Sequence, residues 1–256
     1  MRRLCFRVVF VVAVIGGCAR VPPGSVTGTD KILVVSFTVR GALDINRQPS
    51  GNYYYVLINR TNNQFDPGPA PVVGPPWGNG FAAPETASAQ GFVGFVRYSR
   101  EEGATGVGVY SCQVGGQLLN PALGSFTPLG PPDNVQTPQP GDSTLSFQLD
   151  LARLPNANMR YLQINILATN VLPQGADNTT KYWDALGDGR NGTDTGTGGG
   201  LTNYVILDTE TNQIVTNSQQ VGGTQEPAND VRNGLGPVVD DATLDIVDWT
   251  IQLRDP

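Results

Sequence analysis

Hydrophobic and polar residues alternate with a period of two along much of this chain. In residues 31–40 (KILVVSFTVR), Leu33, Val35, Phe37 and Val39 share one face, with Ile32, Val34, Ser36 and Thr38 on the other. Successive side chains of a strand point to opposite faces, so the segment predicts a strand with one strongly apolar face. Residues 52–59 (NYYYVLIN) are rich in the aromatic and β-branched side chains that suit a pleated surface. Residues 91–98 and 106–113 follow, and Glu101-Glu102-Gly103 between them predicts a hairpin. Residues 143–150 turn Leu145, Phe147 and Leu149 one way, and 161–169 do the same with Leu162, Ile164, Ile166 and Ala168. Residues 203–208 and 213–215 flank the turn-rich Thr209-Glu210-Thr211-Asn212 and predict a second hairpin. In 243–253 (TLDIVDWTIQL) the apolar phase slips between Ile246 and Val247, as an inserted β-bulge residue would make it do.

Helical signals are few: 150–154 (DLARL) and 181–186 (KYWDAL) each read as a helical turn or two. With 32 glycines and 20 prolines gathered in the connections, the pattern predicts an all-β fold, an antiparallel β-sandwich of eight or nine strands. No internal repeat and no linker interrupts 31–256, which reads as one domain. Two long loops stand out, 60–90 with its prolines and 187–200 with its glycines; loops of that length commonly carry function.

The amino terminus departs from this pattern. Arg2, Arg3 and Arg7 precede an apolar run from Val8 to Ile15, far short of the about 20 residues a membrane-spanning helix needs. Basic residues before a short apolar run read as a secretory signal over 1–17. Ile15-Gly16-Gly17-Cys18 follows: an aliphatic residue, two small ones and a Cys. This resembles the lipobox of bacterial lipoproteins, with Gly at position 16 where Ala or Ser is commoner. The resemblance implies cleavage before Cys18, diacylglycerol on its sulfur and a further acyl chain, palmitate for example, on its new amino group. Two or more chains anchor stably, whereas one is marginal. Ala19 follows where Asp is associated with inner-membrane retention, so the resemblance implies a cell-envelope address, the outer membrane in a double-membraned source. Residues 19–30 (ARVPPGSVTGTD) read as a tether.

Loss of the three signal arginines takes the formal net charge from −6 to −9. Only Lys31 and Lys181 are lysines, so the basic footprint of nucleic-acid binding is missing. The chain has no His, which removes Ser-His-Asp and Cys-His catalysis and His-ligated metals. Cys5 leaves with the signal and Cys18 is taken by lipid, so Cys112 stands alone and reads as a small buried apolar residue. Any metal would be a hard cation on oxygen ligands.

Three groups of residues could carry chemistry. Trp77, between prolines and glycines, together with Tyr53 and Tyr55, would make an aromatic platform for a sugar; equally, Trp77 would plug the long loop onto the sandwich. Of Tyr53, Tyr54 and Tyr55, alternation sends at least one outward. Asp184, Asp188, Asn191 and Asp194 are oxygen ligands separated by glycines, the composition of a structural calcium loop without the EF-hand spacing; turn formation alone also selects these residues. Glu85, Asp150, Asp184 and Asp248 are candidates for a carboxylate pair of the glycosidase kind. Gly141-Asp142-Ser143-Thr144 lacks the His that a GDSL esterase requires. The 195–200 run lacks the Lys of a phosphate loop.

DLARL after a strand, then YLQINILAT and KYWDALGDG, looks like uncharacterised secreted bacterial lipoproteins. More distantly the strand order is similar to DOMON domains and family 9 carbohydrate-binding modules. These resemblances imply a non-catalytic envelope module, with carbohydrate as its ligand class. The alternatives are a structural or protein-interaction lipoprotein and a His-free carboxylate hydrolase. No cofactor is expected beyond a structural calcium ion. The expected partners are the membrane, through the lipid, and a glycan or an envelope protein.

Overall fold

The computed structural model describes residues 31–49, 51–66, 68–69, 92–112, 126–156, 158–171, 182–187, 204–220, 224–234 and 237–256. Cys18, Trp77, Glu85, Asp188, Asn191 and Asp194, with the rest of residues 1–30 and of 188–200, lie outside the described residues.

The fold is all-β, two antiparallel sheets packed as a sandwich. Thirteen strands are described: β1 Ile32–Val39, β2 Tyr53–Thr61, β3 Gly94–Tyr98, β4 Val107–Cys112, β5 Phe126–Gly130, β6 Asn134–Gln136, β7 Thr144–Asp150, β8 Tyr161–Thr169, β9 Tyr182–Ala185, β10 Val205–Asp208, β11 Gln213–Thr216, β12 Arg232–Asn233 and β13 Ile246–Arg254. The first sheet has five strands in the order β11-β13-β1-β7-β6. The second has eight, in the order β12-β9-β8-β2-β3-β4-β5, with β10 on β8.

The core follows from the alternation. In β1 the Leu33, Val35, Phe37 and Val39 face is buried, and the β7 face of Leu145, Phe147 and Leu149 lies beside it. Across the sandwich they meet Tyr54, Val56 and Ile58 of β2 and Leu162, Ile164 and Ile166 of β8. Burying each such side chain contributes about 1.5–3 kcal/mol. The phase slip in the last strand is a bulge: Thr38 pairs with Asp248 but Val39 with Ile246, leaving Val247 unopposed.

Nine strands occupy the segments whose alternation predicts them; β5, β6, β9 and β12 are additional and short. Residues 151–153 form a single 3-10 turn, capped by the Asp150 carboxylate on the Ala152 N–H. Residues 182–185 are not helical. They pair with β8 as β9, because Trp183 and Ala185 are buried with Leu167. Residues 205–208 and 213–216 are not a hairpin either. β10 joins β8 in one sheet and β11 joins β13 in the other, so 209–212 crosses one end of the sandwich.

The strand directions define two poles. Ile32 pairs with both Arg254 and Asp150, and the Leu151 N–H donates to Lys31 O at 3.0 Å. Arg60, near the end of β2, donates from Nη1 to Leu151 O at 2.7 Å, so β2 ends at the Lys31 pole. The connections 40–52, 99–106, 137–143 and 241–245 lie at the opposite pole.

Candidate functional site

A cleft of about 470 Å³ opens at the pole away from Lys31. Its walls are the β1–β2, β3–β4 and β6–β7 connections, with Leu43, Ile45 and Tyr98 as apolar surface and Asp44, Arg100 and Gln139 as polar groups. Pockets of this size that mix apolar walls with a few polar groups suit small molecules.

Buried bonds hold the walls. The Tyr54 hydroxyl donates to Thr243 O at 2.8 Å and accepts from the Asp44 N–H at 3.0 Å. The Asn52 amide donates to Thr243 Oγ1 at 2.9 Å, and Arg47 pairs with Asp241. Gly51 has φ +82°, and a Cβ there would stand 2.3 Å from Ile45 O, so the chain can turn into β2 this closely only without a side chain. Burial raises the Tyr98 pKa, with the Asp142 charge adding to it.

A second cleft of about 340 Å³ shares the β3–β4 connection and is lined by Val107, Tyr110, Pro128 and Pro131. Beside it Glu102 pairs with Arg97 and accepts from the Tyr110 hydroxyl at 2.7 Å. Burial first, then the bond to Glu102, pushes the Tyr110 pKa up to about 12.

Of the expected aromatic platform, Tyr53 and Tyr55 are described and are buried, 3% and 1% exposed. They pack with Leu57, Phe92, Phe95 and Trp183 in a second apolar cluster on the far face of the eight-stranded sheet. Alternation does send them away from Tyr54, but that face is buried too. Cys112, half-buried, packs against the same cluster, and burial raises its thiol pKa.

The acidic candidates divide. Asp150 and Asp248 sit opposite Ile32 and Thr38, at the two ends of β1. Six strand positions at about 3.3 Å each keep them roughly 20 Å apart, too far to act as a pair. Asp184 instead converges with Glu226 and Asp230; one carboxylate oxygen from each lies within 4.8 Å of the others. All three residues are buried. Asp184 Oδ2 accepts from the Ile246 N–H at 2.6 Å, and Glu226 Oε1 from the Gly187 N–H at 3.2 Å. Asn217 fixes Glu226 by bonding both its N–H, at 2.7 Å, and its carbonyl, at 3.0 Å. An all-oxygen set this close has the chemistry to hold a hard cation such as calcium. None of the three lines either cleft, so substrate in those clefts does not reach them. Glu226 and Asp230 carried no signal in the sequence: they are remote from Asp184 along the chain, in a segment without periodicity.

No protein-family model matches this chain, and neither does any curated protein or solved structure.

Proposed function

We propose that this chain is a lipid-anchored lipoprotein of the cell envelope whose sandwich is a non-catalytic binding module, with the 470 Å³ cleft as its ligand site. One observation carries the reading: the cleft and the Lys31 pole lie at opposite ends of the sandwich. A chain held by acylated Cys18 emerges from its tether at Lys31, and the cleft then faces away from the membrane. The ligand class is carbohydrate. Asp44, Asn46 and Gln139 offer carboxylate and amide groups for sugar hydroxyls, and Tyr98 and Ile45 offer apolar surface for a ring. With Tyr53 and Tyr55 buried, the cleft replaces the aromatic platform as the place for that ligand.

Two measurements test this. Mass spectrometry of the membrane-extracted chain should find Cys18 as the acylated amino terminus. Glycan-array binding should weaken at least tenfold in Gln139→Ala with Asn46→Ala, while the melting curve stays as in the parent. An unmodified Cys18 removes the anchor. Binding undiminished by the double variant removes the cleft, and a cross-linked envelope protein at the cleft would make the ligand a protein surface instead.

A further inference from the structure

We infer that the turn bearing Phe65 is a second membrane contact, seating the Lys31 pole on the bilayer interface beside the lipid. The inference rests on the lipoprotein reading above. Phe65 is 82% exposed, more than any other large hydrophobic residue among those described. Single exposed apolar side chains are common and need no explanation. This one differs because its exposure is built in. The Phe65 N–H donates to Asn63 Oδ1 at 3.1 Å, and the Asp66 N–H to Asn63 O at 3.0 Å. Asn63 Nδ2 donates to Asp66 Oδ1 at 2.9 Å, and the Thr61 hydroxyl donates to the same carboxylate. From β8 and from the residue just before β10, Gln163 Nε2 and the Tyr204 hydroxyl both donate to Asp66 O, at 2.9 and 3.1 Å. Asn62 accepts from the Arg160 N–H at 3.1 Å. These bonds hold the backbone of the turn in a shape that carries the Phe65 ring outward.

Position supplies the occupant. The turn follows β2, whose end reaches the Lys31 pole through Arg60 and Leu151. Twelve residues separate Cys18 from Lys31. A chain of that length has a root-mean-square span of about 20 Å, so an anchored sandwich keeps this pole close to the bilayer. One ring is too small to hold a free protein there, but the anchor makes its contact effectively intramolecular. Beside the turn, the half-exposed Arg160 guanidinium pairs with Asp208 at 2.9 Å and lies 5.2 Å from the centre of the Tyr161 ring, whose aromatic face suits headgroup depth. Asp66, Asp208, Glu210 and Asp255 also mark this pole, so the contact fits zwitterionic headgroups rather than an anionic surface.

The test uses the full lipidated chain in phosphatidylcholine vesicles. A thiol-reactive, environment-sensitive dye is placed at exposed position 64 through Gln64→Cys, leaving Phe65 in place. Cys18 is blocked by acylation, and the half-buried Cys112 is replaced through Cys112→Ser in every labelled protein. The expected result is a blue-shifted emission that brominated acyl chains quench, with both effects lost on Phe65→Ser. A dye at Asn46→Cys, at the cleft pole, should keep its aqueous spectrum. A position-64 dye that stays aqueous on protein with acylated Cys18 overturns the inference and leaves the lipoprotein reading standing. Dyes at both positions shifting together would also overturn it, since the sandwich would then lie flat. A Cys18 without acyl chains overturns both.

Discussion

The Tyr54 hydroxyl donates to the Thr243 carbonyl at 2.8 Å, tying the eight-stranded sheet to the segment that leads into β13 of the other sheet. The same oxygen accepts from the Asp44 N–H, so one side chain closes the sandwich and sets a wall of the cleft. Tyr54→Phe removes both bonds and leaves a carbonyl and an N–H to find new partners. Each orphaned buried group costs about 1–3 kcal/mol. The urea midpoint should fall with an unchanged slope, and amides of 43–52 should lose hydrogen-exchange protection before the rest of the sheet does.

Asp184 should respond to substitution according to shape more than charge. Its Oδ2 accepts from the Ile246 N–H at 2.6 Å, a contact between the two sheets. Asp184→Asn keeps an oxygen that can take this bond, whereas Asp184→Ala orphans the buried donor at a cost of about 1–3 kcal/mol. Chemical denaturation should rank the proteins parent, Asn, Ala, with the larger step at Ala. An Asn variant as unstable as the Ala variant would mean that the carboxylate charge matters more than the acceptor.

High pH should unfold this protein. Burial raises the pKa of Tyr54 and Tyr55, and burial with the Glu102 bond pushes Tyr110 up to about 12. In the unfolded chain these phenols titrate near 10, as tyrosines ordinarily do. The folded state therefore keeps protons that the unfolded state releases, and stability falls with pH wherever that difference exists. The contribution is complete below pH about 10 and is lost as pH rises toward the folded values. Denaturation midpoints should hold level up to about 10 and then drop, with phenolate absorbance appearing together with unfolding. Phenolate absorbance that precedes unfolding would show that the rings ionise in place.

Much of this fold was legible from the alternation, because a buried face repeats every second residue and says so. β1, β7 and β8 could be read directly, and even the bulge at Val247 announced itself as a slip in phase. What escaped reading lacks that signature. β5 contains Pro128, and β6 and β12 span three and two residues, too few to show a period. β9 lies in a segment, 181–186, that also reads as a helical turn, and pairing with β8 decides its conformation. Alternation separates Tyr53 and Tyr55 from Tyr54 but does not tell which face meets water, and both faces are buried. The carboxylate trio is the extreme case: Asp184 stands in a run of acidic residues, but Glu226 and Asp230 come from a distant segment without alternation, and only the folded chain brings the three together.

The bulge itself can be tested by deletion. Removing Val247 would restore strict alternation to β13, with Ile246, Trp249, Ile251 and Leu253 all still inward and Asp248 outward. On hydrophobic pattern alone the deletion should therefore be harmless. The hydrogen bonds argue otherwise. The Val247 carbonyl accepts from Asn217 Nδ2 at 2.9 Å, and Asn217 in turn holds Glu226. The Ile246 N–H, next along, is the donor to Asp184. Deletion takes away the first acceptor and moves the second donor, so it should cost a few kcal/mol, about 1–3 for each buried bond lost. Val247→Ala keeps the backbone and trims a side chain that is only half-buried, so its midpoint should stay close to the parent's. If the deletion matched Val247→Ala, the bulge would be a tolerated irregularity; a large gap between them would mean that it aims backbone groups at the acidic cluster.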